Sequence, residues 1–327
     1  MSSVAASRRG LTWRPAASAA ALVALIVWVI MHHTTLTQAL TQLSTLPGPS
    51  WSAIVVAVSA VAASYCCSAV ALSAAAGRRL PVGRTVLVQF AAAAANRVTP
   101  GGVGGMAVNA RFLRTQKLSP GAAGAALSLS ALAHIVIAAI GLLAMGPTMP
   151  KVPMVHSLVT GRVGGLPVIV LVIVAVPSVV WLLVHAARSR LHVDGRVSAA
   201  IHDARNALST ASRQPKRLTL LLVATAGVKA TNLLALMAAT WAFDSDMADW
   251  RIAAIYLVAV PVAEAIPTPG GIGGVDAVLV AGLARIGSAS TVGAVIAAVI
   301  VFRLLTFWAP IVPGLVSAAL LRRQHAL

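Results

Sequence analysis

Two clusters of helix breakers interrupt the apolar runs of this chain, and both carry the same pattern. Thr99-Pro100-Gly101-Gly102-Val103-Gly104-Gly105 reads T-P-G-G-x-G-G, and Thr268-Pro269-Gly270-Gly271-Ile272-Gly273-Gly274 repeats it 169 residues later. Pro267 and Glu264 precede the second copy, and Asp276 follows it. Backbone that leaves the helix at membrane depth exposes peptide groups at several kcal/mol each, unless protein buries them or they line a wet cavity. Paired glycine-interrupted segments in two halves of a chain are the strongest sequence pointer to a transporter binding site. The plainer alternative is that the glycines only let helices pack closely. Close packing alone does not call for two prolines and four glycines together.

The surroundings of the clusters decide the class. Hydrophobic residues make up 59% of the chain and charged ones 10%, with several apolar runs of membrane-spanning length, so the expectation is an all-α polytopic membrane protein. The formal net charge of +18 would suggest nucleic acid in a soluble protein. Here its distribution points to topology and anionic headgroups instead, and no nucleic-acid partner is expected. Cys66 and Cys67 are adjacent inside an apolar run, which suits small packing residues rather than a disulfide or metal site.

Taken in order, the chain predicts six full spans and two re-entrant helical hairpins. The spans are placed at Ala16 to Met31, Trp51 to Ala76, Pro120 to Gly146, Gly165 to Ala187, Leu218 to Phe243, and Thr291 to Leu321. The last would be roughly 46 Å long as one helix, so Pro310 and Pro313 are expected to break it. Thr85 to Ala95 is too short to cross; with the first glycine cluster and the stretch to Arg111 it forms one hairpin. Ile252 to Ile266 and Val275 to Arg285 form the other around the second cluster. Residues 188–217 hold seven basic residues, and the spacing of Val197, Ile201 and Leu208 predicts a short amphipathic helix in this linker.

Charge supports this layout. Eighteen of the 25 lysines and arginines fall in the segments it makes cytoplasmic, both termini included, as the positive-inside rule requires. An eight-span arrangement, with both hairpins crossing, is the alternative. The 169-residue offset also places residues 51–146 over 220–315, and the spans before the two clusters run in opposite directions. The halves, about 51–146 and 220–321, therefore form an inverted repeat in a single membrane domain.

These residues resemble the transmembrane, flippase-like region of the lysylphosphatidylglycerol synthase family. The likeness lies in the first P-G-G-x-G-G with Arg111 downstream and in P-T-P-G-G-I-G-G-V-D. Phe302-Arg303 followed by Pro310 and Pro313-Gly314 completes it. It covers the chain from about Ala16 to Arg323. Family members usually carry glutamate where this sequence has Asp276. Full-length synthases add a soluble aminoacyl-transferase domain, so the resemblance implies the lipid-handling part without the transferase.

Ionisable residues inside spans are costly and default to functional roles. Five are placed at membrane depth: Arg97, Lys229, Glu264, Asp276 and Arg303. Three cations against two anions suit an anionic guest, and a helix starting after each glycine cluster would aim free N–H groups at it. Asn96 and Asn109 add neutral hydrogen bonds. The candidate binding set is thus Asn96, Arg97, Gly101, Gly102, Gly104, Gly105, Asn109 and Arg111 in the first half. Glu264, Pro269, Gly270, Gly271, Gly273, Gly274, Asp276 and Arg303 make up the second. The alternative is that the acids simply pair with Arg97 and Arg303 to hold the halves together. His134 maps onto Arg303 under the offset.

No His or Cys pair sits at metal-ligand spacing, and no nucleophile triad or phosphate-binding lysine loop is visible. Neither a cofactor nor an enzymatic reaction is expected. The leading expectation is binding and translocation of an anionic or polyprenyl-phosphate-linked lipid across the cytoplasmic membrane. The alternative is a non-transporting scaffold or accessory subunit of a lipid-modifying or glycosyl-transfer enzyme.

Overall fold

The computed structural model describes residues 48–99, 103–145, 214–243, 247–264, 274–286 and 292–324, all within one compact unit, Gly48–Leu327. These residues contain helices and no strand. In order they are α1 (Trp51–Ala76), α2 (Val82–Val98), α3 (Val103–Thr115), α4 (Pro120–Met145), α5 (Pro215–Trp241), α6 (Asp249–Glu264), α7 (Gly274–Ile286), α8 (Val292–Arg303) and α9 (Ile311–Arg323). A π-helical turn, Leu304–Trp308, joins α8 to α9. The expected spans at 16–31 and 165–187 lie outside the described residues, as does nearly all of the 188–217 linker. Its last three residues belong to α5, which starts at Pro215 rather than Leu218.

Among the described residues four helical stretches are long and apolar enough to cross a membrane: Trp51–Ala76, Pro120–Gly141, Pro215–Trp241 and Val292–Arg323. The protein is an all-α, multi-pass membrane protein. The legs of both expected hairpins are shorter, at 17 and 13 residues for α2 and α3 and 16 and 13 for α6 and α7. At 1.5 Å per residue the longest reaches roughly 26 Å, short of a hydrocarbon core of about 30 Å. Each pair packs leg against leg.

Adding 169 to α2 gives 251–267, over Asp249–Glu264, and adding it to α3 gives 272–284, over Gly274–Ile286. Packing partners recur in the same way: α1 with α4 as α5 with α8, and α3 with α4 as α7 with α8. The most extensive pair is α1 with α5, two helices that the offset makes equivalent. They are antiparallel, as two fastenings show. At one end the Ser50 N–H donates to the Ala242 carbonyl at 2.8 Å. At the other, Arg217 Nε, at the start of α5, donates to the Ala74 carbonyl of α1 at 2.6 Å, and its Nη2 donates to Ala75.

That second fastening explains why α1 must end in glycine. Gly77 has φ +65° and donates its N–H to Ala74, closing the helix in the left-handed conformation that glycine adopts without strain. The Arg217 guanidinium rests where a Cβ would stand. Arg217→Ala is expected to cost about 1–3 kcal/mol, because the Ala75 carbonyl loses this donor and the Ala74 carbonyl keeps only the Gly77 N–H. Gly77→Ala should be at least as damaging. An unchanged thermal midpoint in detergent for both variants would show that other contacts hold this end.

Among the described residues two apolar clusters form the core. One joins Leu72, Val88, Phe112, Leu113, Leu221 and Leu321 from α1, α2, α3, α5 and α9, with Leu80 from the turn between α1 and α2. The other joins Val61, Leu236, Ile255, Leu279, Val299 and Phe302. Around the first cluster, Arg78, Arg79, Arg84, Arg111, Arg114, Lys117, Lys216, Arg217, Arg322 and Arg323 crown one end of the bundle, with no acidic side chain described there. Trp241 Nε1, at the end of α5, donates to Asp249 at the start of α6 at 2.9 Å.

Candidate functional site

The chain passes from α2 into α3 through the first glycine cluster, and polar side chains of Thr99 and of Asn96 in α2 cap the start of α3. Residues 100–102 are outside the described set, so Gly101 and Gly102 are not placed. On either side of them, Thr99 Oγ1 donates to the Ala95 carbonyl at 2.9 Å and accepts the Gly104 N–H at 2.9 Å. Asn96 Oδ1 accepts the Gly105 N–H at 2.5 Å. Two N–H groups of the first turn of α3, expected to await a ligand, are therefore capped from within. The glycines themselves permit this approach. A Cβ on Gly104 would fall 2.5 Å from Thr99 Oγ1, and one on Gly105 would fall 2.6 Å from the Asn96 amide.

Further along the legs, Gln89 Nε2 donates to Asn109 Oδ1 at 3.1 Å, so Asn109 also serves the hairpin. Arg111 is exposed, eight residues and roughly 12 Å of helix from the start of α3. It belongs to the basic end rather than to the other candidates.

Arg97, in the last turn of α2, reaches the opposite half of the chain. Its Nη2 donates to the Thr306 carbonyl at 2.7 Å and its Nε to the Phe307 carbonyl at 3.2 Å. Local sequence explains why a carbonyl is available. In an α-helix Thr306 would receive the N–H of residue 310, and Pro310 has none. The chain widens instead to a π turn, with the Ala309 N–H on the Leu304 carbonyl at 2.7 Å. The expected break in the last span is thus present, but it opens at Leu304, before either proline. Such turns concentrate at functional sites.

Arg303 enters from the last turn of α8. Its Nε lies 2.6 Å from Asp276 Oδ1 and its Nη2 lies 3.4 Å from Oδ2, a two-pronged contact with the first turn of α7. Asp276 is well placed there, since the positive end of the α7 dipole favours a carboxylate. The arginine side chain is 14% exposed and the aspartate 37%, so the acid is the more accessible partner.

Phe307 links the two cations. The Arg97 guanidinium lies 4.3 Å from its ring centroid and that of Arg303 lies 4.9 Å from it. Both are inside the range of a cation–π contact. Phe307 is 3% exposed. Tyr65 of α1 stacks on Phe90 of α2 with centroids 4.1 Å apart and lies within electrostatic reach of Arg97. The structure therefore brings together Arg97, Asp276 and Arg303 and adds Tyr65 and Phe307, which the sequence reading passed over. An aromatic residue in an apolar span carries no positional signal; only the fold shows which ring two arginines share.

Gly274 opens α7. Pro269, Gly270, Gly271 and Gly273 lie outside the described residues, and of Glu264 only the backbone, at the end of α6, is described. Lys229 of α5 is half-buried within electrostatic reach of His134 on α4. No contact described places either at Phe307. Among the described residues no three His, Cys, Asp or Glu side chains gather as a metal site would need. A search of curated proteins finds no match. The family model described as the lysylphosphatidylglycerol synthase TM region matches residues 16–314.

Proposed function

Because this chain belongs to the lysylphosphatidylglycerol synthase TM region family, we propose that it binds an anionic or polyprenyl-phosphate-linked lipid and carries it across the cytoplasmic membrane. The observation that carries this reading is the pair of arginines on Phe307. Among the described side chains around that ring there are two cations and one acid, Asp276. A phosphate would restore charge balance, and guanidinium forks match its oxygens in bidentate fashion.

The arrangement also supplies an exchange. Asp276 and a phosphate would compete for the fork of Arg303; an entering phosphate takes the acid's place, and on leaving returns the arginine to it. The tails stay in the bilayer while the headgroup crosses between the hairpins. The basic end faces the cytoplasm, following the positive-inside rule. The ion pair also favours a second reading, in which Asp276 and Arg303 only hold the helices in register and the protein serves as a scaffold for a lipid-modifying enzyme.

Two conservative variants separate these readings. Arg303→Lys keeps the charge and loses the fork, and is expected to bind a short-chain phosphatidylglycerol about tenfold more weakly, or about 1.4 kcal/mol. Asp276→Asn removes the competitor and is expected to bind it more tightly. Titration in detergent, followed by transport in liposomes, reads both. Unchanged affinity in both variants would leave the ion pair as a structural fastening and favour the scaffold.

A further inference from the structure

Lys117 has φ +64°, the one non-glycine residue with a left-handed backbone among those described. Its N–H donates to the Arg114 carbonyl at 2.9 Å, and the Leu118 N–H donates to Leu113 at 3.2 Å. These two bonds close α3 in the motif whose left-handed position is ordinarily glycine. The contrast is internal to the protein, since α1 also closes on a left-handed residue whose N–H donates to the carbonyl three residues back, and there the residue is Gly77. A side chain kept at a strained position points to a use for that side chain.

The surroundings say what the ammonium would meet. Arg78 Nη1 donates to the Gln116 carbonyl at 2.8 Å, fixing the turn after α1 against the turn after α3. Arg111 and Arg114 are exposed on the last turns of α3, and no acidic side chain is described at this end. Towards the start of α3 the exposed residues are apolar, with Val103 at 57% and Met106 at 50%. Positions 103, 106, 110 and 114 follow helical spacing and share one face, and Lys117 follows three residues after Arg114, in the turn that closes the helix. That face grades from apolar to cationic over roughly 20 Å.

We infer that this face of α3 is a docking surface for an anionic lipid of the leaflet at the basic end, its phosphate at Lys117 and Arg114 and one tail along Met106 and Val103. A tail-bearing occupant is favoured over an acidic protein segment because the apolar stretch continues the cationic one without a break. The inference deepens the lipid-handling reading by adding where the lipid is first held, and it rests on that reading for the lipid's onward path.

The test uses the full chain in nanodiscs with a phosphatidylglycerol probe bearing a diazirine on one acyl chain, and the matching phosphatidylcholine probe. Photo-crosslinks are mapped by peptide mass spectrometry. The expected result is labelling at Val103 and Met106 that is at least fivefold greater from the anionic probe. Lys117→Gly should lower that labelling several-fold while raising the melting temperature, because it relieves the strained backbone. Lys117→Arg should retain the labelling. Stability and binding moving in opposite directions is not what a structural lysine would give.

Equal labelling by both probes, or labelling unchanged in the Lys117→Gly, Arg114→Gln double variant, would overturn the inference. So would competition by millimolar glycerol phosphate as strong as that by the lipid, or protection by an acidic protein partner. Failure here alongside weakened binding in Arg303→Lys would remove the docking surface alone. Anion-selective labelling here with unchanged binding in Arg303→Lys would remove the central site alone.

Discussion

Arg97→Ala is expected to destabilise the protein by about 3–5 kcal/mol, which is a large share of the stability of most domains. Two hydrogen bonds from a charged donor are lost, each worth about 1.5–3 kcal/mol, with a cation–π contact on Phe307. The Thr306 carbonyl has no substitute, since the proline at 310 cannot donate and no bulk water is at hand in a membrane. Binding of an anionic lipid should fall with stability, so the informative companion is Arg97→Lys. It keeps one charged donor for the carbonyl and loses the second prong, and should recover part of the stability but little of the binding. Thermal unfolding in detergent gives the first quantity and lipid titration the second. A loss below about 1 kcal/mol in the alanine variant would mean that the π turn does not depend on this arginine.

Gly314→Leu is expected to abolish folded protein. A Cβ at this position would stand 2.5 Å from the Phe90 carbonyl oxygen and 2.6 Å from Ala94 Cβ, so α9 touches α2 backbone to backbone. Small residues permit such seams in membranes, where helix association depends on close packing. Even Gly314→Ala should cost about 1–3 kcal/mol by overpacking. Ala94→Gly added to it should restore only part of this, because the Phe90 carbonyl remains in the way. The damage should reach the arginines too, since Phe90 carries the stack with Tyr65. Size-exclusion profiles and melting curves read the series. A monodisperse Gly314→Leu protein with the parent's midpoint would show that the seam opens at little cost.

Much of the fold was legible because membrane spans are written in long apolar runs. The first glycine cluster marks the turn between α2 and α3, and the 169-residue offset puts α6 and α7 in register with them. Arg97, Asp276 and Arg303 were legible as costly charges in apolar sequence. Their partners were not. That Arg97 would choose carbonyls of residues 306 and 307 over an acid depends on a contact across more than 200 positions. Asn96 and Asn109, which the sequence offers as hydrogen-bonding groups for a guest, stitch the hairpin: Asn96 meets a backbone N–H of the next helix and Asn109 the Gln89 amide. In the sequence Lys117 is one basic residue among 25; its strain lies in the backbone, where composition leaves no trace.

The π turn has a geometric consequence for the span that contains it. In an unbroken α-helix, residues eleven apart lie nearly one above the other, because eleven residues complete close to three turns. Arg303 and Gly314 are eleven apart, yet one faces Asp276 on α7 and the other faces Phe90 on α2. The wider turn takes up an extra residue, about 100° of winding, and so sets the two at different azimuths around one helix axis. The number of residues in that turn, rather than their chemistry, fixes the angle between the ion pair and the helix seam.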